Sequence, residues 1–250
     1  MTPDDGFWNT PALMNMAADF LMGLSIIALA WAAVTALQRL PVFPLRELVV
    51  TGSLGQVTRA QIEHTARIAV TGNFFTTDME SIRAAFENLP WVRKVEVRRR
   101  WPDSIELTLE EQVAVARWKP ANSSDSQNGR LVNDHGEVFA GTASEALPAF
   151  FGPEGSSMQL LERYRDFAVA LTGHKVEMVI LSTRDAWQLK LDNGLLLELG
   201  RDQRKHPLTE RIDRFARHYS FVRASTGLVD GGVADMRYPN GFTLRPGSKS

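Results

Sequence analysis

Between Leu89 and Glu111 the chain reads LPWVRKVEVRRRWPDSIELTLEE, and its apolar and polar positions alternate almost residue by residue. Val95, Val97 and Trp101 fall on odd positions between Lys94, Glu96, Arg98 and Arg100, the period of two of a strand with one buried face. Pro102 breaks the run, Asp103 suits the next turn position, and Trp101 before the proline is pushed toward extended geometry. Ile105, Leu107 and Leu109 then resume the apolar face while Glu106, Thr108 and Glu110 alternate outward. The pattern predicts a hairpin of two antiparallel strands with matching apolar faces.

A second pattern has no period. Phe20 to Leu37, FLMGLSIIALAWAAVTAL, contains no charged residue; as a helix it covers roughly 27 Å, close to the hydrocarbon core of a bilayer. A membrane span, a cleaved secretory signal and a buried core helix all fit such a run. Met1 to Asp19 contains no Lys or Arg, whereas a signal has a basic leader and a shorter apolar core. Val34 and Ala36 would suit a signal peptidase, but the balance favours a retained anchor. Orientation stays open: Arg39 and Arg46 follow the run and Asp4, Asp5 and Asp19 precede it. That count puts the bulk of the chain in the cytoplasm, yet acidic residues weigh little and long domains translocate largely regardless of charge.

After Pro41 and Pro44, the stretch Leu45 to Thr51 reads as a strand ending at Gly52. Thr58 with Gln61, and Thr77 with Glu80, have the spacing of capping boxes. The first opens a helix with Ile62, Ala66, Ala69 and Val70 on one side; the second opens a stripe of Met79, Ile82, Phe86 and Leu89 that Pro90 stops. The order strand, helix, helix, strand, strand predicts a small α+β domain with two helices on one sheet face. Beyond Gln112 strands dominate. Val113 to Lys119 is extended, Asn122 to Gly129 is a polar loop, and Asp134-His135-Gly136 is a turn between Arg130–Asn133 and Glu137–Ala140. Met158 to Leu171 is a helix with Leu161, Tyr164, Ala168 and Leu171 on its stripe. Trp187, Leu189 and Leu191, an Asn193-Gly194 turn, and Leu195, Leu197 and Leu199 predict a second hairpin. A last helix aligns Leu208, Ile212, Phe215 and Tyr219 and leaves Arg211, Arg214 and Arg217 solvated; Val233 to Tyr238 and Phe242 to Arg245 close the chain as strands. The fold class is α+β: an N-terminal transmembrane helix, a small β-α-α-β-β domain, and a mostly antiparallel β domain with flanking helices.

Composition narrows the chemistry. A net charge of −1 supplies no excess of cations for non-specific nucleic-acid binding. The absence of cysteine excludes disulfides and thiolate metal sites. His64, His135, His174, His206 and His218 are dispersed without metal-ligand spacing, and no GxSxG, SxxK or P-loop occurs. We therefore expect no catalytic residue, cofactor, metal or small-molecule substrate. Arg98, Arg99 and Arg100 beside Trp101 admit an anionic-lipid or nucleic-acid patch, but Glu106, Glu110 and Glu111 on the returning strand favour hairpin-end charges that offset one another.

Taken as an ordered set, the motifs resemble the bacterial FtsQ/DivIB family. They are VTG at Val50 to Gly52, LPWV at Leu89 to Val92, RRRWPDSIELTLEE at Arg98 to Glu111, VARW at Val115 to Trp118, LVNDHGEVF at Leu131 to Phe139 and LPAFFGPEG at Leu147 to Gly155. LSTRDAWQLKLDNGLLLELG at Leu181 to Gly200 and DMRYPNGF at Asp235 to Phe242 complete it. The resemblance implies a cytoplasmic tail over 1–19, a transmembrane helix over 20–38, a periplasmic POTRA domain over 44–112, a β domain over 113–246 and a disordered tail over 247–250. It also implies a divisome scaffold of the inner membrane, located at the septum. The scaffold binds FtsB and FtsL and indirectly serves the septal synthases FtsW and FtsI. Two departures stand out: the tail lacks basic residues, and the last motif reads DMRY where the family leads us to expect DLRY, followed by the bulky Phe242-Thr243-Leu244. Family members use the last strand as an acceptor for a partner strand, so the implied contact residues are Arg201, Tyr238, Asn240, Gly241 and Phe242. For Tyr238 a core role competes, because Ala234, Met236 and Tyr238 would share one strand face. Arg201 competes with a plain solvated charge, and Gly241 with simple turn geometry.

Overall fold

The computed structural model describes residues 11–39, 44–52, 54–120, 129–226, 231–238 and 241–246. The polar stretch 122–128, the tail 247–250, the tail 1–10 and Asn240 lie outside them. The chain divides into two compact units between Glu110 and Glu111.

The first unit begins with α1 (Pro11–Arg39). Proline is at home in the first helical position because its missing N–H has no partner there anyway. Between Pro11 and Ala36 the helix is strongly apolar, and its most apolar stretch is not buried against the rest of the chain, which removes the core-helix reading. It is long and apolar enough to cross a membrane. After β1 (Glu47–Thr51), α2 (Arg59–Ala69) opens with the expected capping box: the Thr58 hydroxyl accepts from the Gln61 amide while Gln61 Oε1 accepts from the Thr58 amide at 2.9 Å.

The start of α3 (Met79–Glu87) differs from the sequence expectation. Its cap is Asp78, which accepts from the Glu80 amide at 3.0 Å, whereas Thr77 is buried and donates to the carbonyl of Asn73 at 2.6 Å. The reason lies one turn upstream. Asn73 Oδ1 accepts from the amides of Phe75 and Thr76, folding a tight loop that draws Thr77 inward and leaves the next residue to cap.

Then come β2 (Val92–Arg100) and β3 (Ser104–Glu111), and the sheet order is β1-β3-β2. β1 runs parallel to β3, from Glu47 opposite Ser104 to Thr51 opposite Thr108. Ile62, Ile82, Phe86, Val95, Ile105, Leu107 and Leu109 form the core. Trp101 breaks the expected alternation: it is 80 % exposed at the hairpin tip, and its peptide bond to Pro102 is cis. The core-facing place at the end of β2 belongs to Arg99, whose guanidinium donates to the carbonyls of Phe74 at 2.9 Å and Thr77 at 2.8 Å. The expected pairing across the hairpin is also redistributed. Arg93 meets Glu110 at 2.7 Å, while Arg98 pairs with Glu96 on its own strand at 3.1 Å.

The second unit comprises β4 (Ala114–Pro120), β5 (Arg130–Asn133), β6 (Val138–Ala140), β7 (Ala149–Gly152), α4 (Ser157–Ala170), β8 (Val176–Leu181), β9 (Ala186–Leu191), β10 (Leu195–Arg201), α5 (Leu208–Thr226), β11 (Gly232–Asp235) and β12 (Thr243–Arg245). Its strands form one nine-stranded sheet in the order β12-β11-β10-β9-β8-β7-β4-β5-β6. Parallel pairs join β4 to β7, β7 to β8 and β10 to β11; the other neighbours are antiparallel. Alternation makes this core. Trp187, Leu189 and Leu191 on β9 and Leu195, Leu197 and Leu199 on β10 are all buried, together with Leu160, Leu161 and Phe167 of α4 and Leu208, Ile212 and Phe215 of α5. Ala168, expected on the α4 stripe, is exposed because Phe167 takes the inward position.

The contrast between Phe86, fully buried, and Trp101, mostly exposed, gives a direct check. Phe86→Ala is expected to cost about 3–5 kcal/mol of stability through the cavity it leaves, and Trp101→Ala no more than about 0.5 kcal/mol. Urea unfolding of the purified chain, followed by near-ultraviolet circular dichroism, reads both.

Candidate functional site

β12 is an outer strand of the nine-stranded sheet. An outer strand turns one row of backbone N–H and C=O groups away from the ladder, toward anything that offers a matching row. β12 is held on its inner side by β11, with Val233 opposite Arg245, Ala234 opposite Leu244 and Asp235 opposite Thr243. Leu244 and Phe242 are half-buried against the core, and Phe242 meets the Phe215 ring of α5 edge-on at a centroid distance of 5.4 Å. Phe215 in turn stacks on Tyr219 at 4.7 Å, so aromatic contacts fasten the edge to the helix behind it.

An ion cluster fastens it from the other side. The Asp235 carboxylate is 1 % exposed and accepts from Arg237 Nε at 2.9 Å, from Nη2 at 2.7 Å and from the Arg237 amide at 3.1 Å. Arg245 of β12 reaches the same carboxylate at 3.7 Å. Hydrogen bonds from Arg237 hold the Asp235 carboxyl below its ordinary range; burial opposes them, and the charge of Arg245 adds to the lowering. Reciprocally, Asp235 raises the Arg237 guanidinium further. Bidentate Arg–carboxylate geometry makes this a strong, oriented pair.

The pairing of β10 with β11 runs up to the segment that holds Arg237 and Tyr238. β10 and β11 pair from Leu195 opposite Gly232 to Glu198 opposite Asp235, an offset of 37 (232 − 195). Past the end of this pairing, Gly200 still lies against Arg237. A Cβ on Gly200 would come within 3.0 Å of Arg237 Cγ, and its φ of +75° is a backbone conformation that favours glycine. Tyr238 is 55 % exposed, beyond the end of β11, while Met236 is buried. Met236, just past β11, still joins the core while Tyr238 does not, so the core alternative fails. Arg201 is exposed and donates from Nε to the Arg184 carbonyl at 2.7 Å, which fixes its direction. Gly241 is half-buried with open space where a Cβ would stand. Asn240 lies outside the described residues.

Sequence reasoning missed Arg211. It was expected on a solvated face with Arg214 and Arg217, yet it is 4 % exposed and donates from Nη1 to the Leu199 carbonyl. A bulge between Glu198 and Gly200 interrupts the β9–β10 ladder there, and an arginine from α5 reaches the carbonyl. Helical spacing alone carries no trace of a bulge in another strand. Asp235 was quoted only as part of a motif; its burial beside two arginines is a tertiary property.

Residues 116–237 match the family described as "Cell division protein FtsQ/DivIB, C-terminal", and residues 43–112 match "POTRA domain, FtsQ-type". The "Cell division protein FtsQ" of Burkholderia pseudomallei is 39% identical over 243 residues, covering 95% of this chain and 94% of that protein. This chain belongs to the FtsQ family. The FtsQ of Nitrosospira multiformis is 36% identical, with 95% of this chain and 98% of that protein covered, and that of Escherichia coli is 28% identical, with 88% and 79% covered. The three-stranded unit is thus a POTRA domain of the FtsQ type, and the nine-stranded unit carries the FtsQ/DivIB C-terminal match.

The lowered Asp235 carboxyl has a signed consequence for stability. Above the unfolded carboxylate pKa near 3.9 its contribution is fully present, and it is lost as pH falls through the lower folded value, because the unfolded chain binds the proton first. Asp235→Asn is expected to cost about 1–3 kcal/mol at pH 7 and to flatten the acid limb of the stability curve. Urea midpoints from pH 7 down to the acid limit, for both forms, measure it.

Proposed function

We propose that this chain acts in cell division as a membrane-anchored, non-enzymatic scaffold that binds FtsB and FtsL, and through them helps recruit and control the septal synthases FtsW and FtsI. The reading takes residues 1–19 as a cytoplasmic tail, 20–38 as the span, 44–112 and 113–246 as periplasmic domains, and the septum as the working location. The observation that carries it is the edge strand β12, braced by Phe242 and by Asp235 but with no strand paired on its outer side among the described residues, together with the exposed ring of Tyr238. Addition of a partner strand supplies backbone hydrogen bonds to β12, while Tyr238, Arg201, Asn240, Gly241 and Phe242 set which strand is accepted. An exposed tyrosine beside such an edge is a natural anchor, since aromatic side chains dominate the energetics of small interfaces. Among the described residues, no cluster of three or more His, Asp or Glu is placed to hold a metal ion.

Co-purification with FtsB and FtsL tests the partner assignment. Tyr238→Ala is expected to weaken capture at least about tenfold, whereas Ala140→Lys, on the strand at the opposite edge, leaves it unchanged. If the wild-type chain captures neither partner, the scaffold reading is wrong; if Ala140→Lys is the variant that fails, the edge is misassigned. For orientation, a reporter active only in the periplasm, fused after Ser250, is expected to be on. A silent periplasmic reporter with an active cytoplasmic one would reverse the topology.

A further inference from the structure

Trp101 sits at the tip between β2 and β3 and is 80 % exposed, an uncommon position for the largest apolar side chain in the code. It is not isolated. Arg99 holds the loop before α3 against this end of β2 through the Phe74 and Thr77 carbonyls, which brings Phe75, 45 % exposed, to the same end of the domain. Arg98 and Arg46 are each 75 % exposed, and Arg100 is exposed as well. Glu96, paired with Lys94 and Arg98, and Asp103, 3.8 Å from Arg46, offset part of this charge.

The position of the tip along the chain matters more than its composition. The Arg46 amide donates to the Asp103 carbonyl at 3.0 Å, and β1 and β3 start opposite one another. The end of the domain that bears Trp101 is therefore the end at which the chain arrives from α1. From Arg39, the last residue of α1, to Arg46 is seven residues, which fully extended reach at most about 25 Å. Tryptophan and arginine together are what a lipid headgroup region favours: the ring sits at the boundary while the guanidinium groups meet phosphate.

We infer that the β2–β3 tip, through Trp101 and Phe75 with Arg46, Arg98 and Arg100, rests on the headgroup region of the bilayer that α1 spans. The occupant is a lipid surface rather than a protein because the tether keeps the tip beside that surface and the exposed cations complement an anionic leaflet. Two attachments, the span and the tip, then restrict how the POTRA domain can rotate about the short segment joining them. This rests on the reading of α1 as a retained membrane anchor.

The full chain in nanodiscs tests it, with acyl-brominated lipids as tryptophan quenchers. Trp31, within the apolar part of α1 and 73 % exposed, serves as the control for the anchor. Subtracting the emission of Trp101→Phe or Trp31→Phe from that of the wild type isolates each ring. In discs containing phosphatidylglycerol, brominated lipid is expected to lower the Trp101 contribution roughly twofold or more, as for a ring in the interfacial belt. Arg98→Gln with Arg100→Gln is expected to reduce that quenching toward its level in neutral phosphatidylcholine discs. Unquenched Trp31 would overturn the anchor and the tip contact together. Quenched Trp31 with an unaffected Trp101 would overturn the tip contact alone, and so would protection of Trp101 that arises only when membrane proteins are added, the signature of a protein partner. Equal quenching in neutral discs and in the Arg98→Gln, Arg100→Gln variant would overturn the role of the arginines.

Discussion

A sheet that does not close on itself has two edges, and this constraint organises the second unit. The apolar rows of β9 and β10 are buried beneath α4 and α5, so that face of the sheet is settled by packing. Packing cannot settle the edges, because their unpaired groups lie in the plane of the sheet. β12 is fastened to its inner neighbour by side chains at both ends of the problem: Phe242 under the aromatic stack of Phe215 and Tyr219, and Asp235 between Arg237 and Arg245. Remove that bracing and the strand retains only the few ladder bonds of a three-residue pairing. The site is consequently an outcome of the core rather than an addition to it.

The same logic links Gly200, Arg211 and Arg237. The bulge in β10 gives Gly200 a left-handed backbone, and the absence of a Cβ there lets the Arg237 side chain lie close. The bulge also leaves the Leu199 carbonyl to Arg211 of α5. One local irregularity thus fixes both the helix behind the sheet and the arginine that orients Asp235. A nearby regular ladder would provide neither.

Much of this was legible in the sequence, and the failures share a cause. Strict alternation identified Ile105, Leu107 and Leu109, and later Trp187 through Leu199, because a period of two has little meaning except as a strand with one buried face. The Thr58 box was legible because both of its partners lie within one turn. Thr77, Trp101 and Arg211 were misread where the outcome depended on distant chain: a loop folded by Asn73, a strand end capped by Arg99, a bulge opposite a helix. At the candidate site, the motif drew attention to Tyr238 and Arg201, and both are exposed in the structure. The exposure of Tyr238 required knowing where β11 stops.

β12 spans only Thr243–Arg245. Two copies of this chain meeting edge to edge could form no more than a few cross-strand bonds, too few to repay the entropy of association. The same brevity that protects against self-assembly also means that a stable guest strand must draw additional affinity from side chains beyond the ladder. Shortness at the edge thus works as a filter, since an accidental neighbour gains little from the ladder alone.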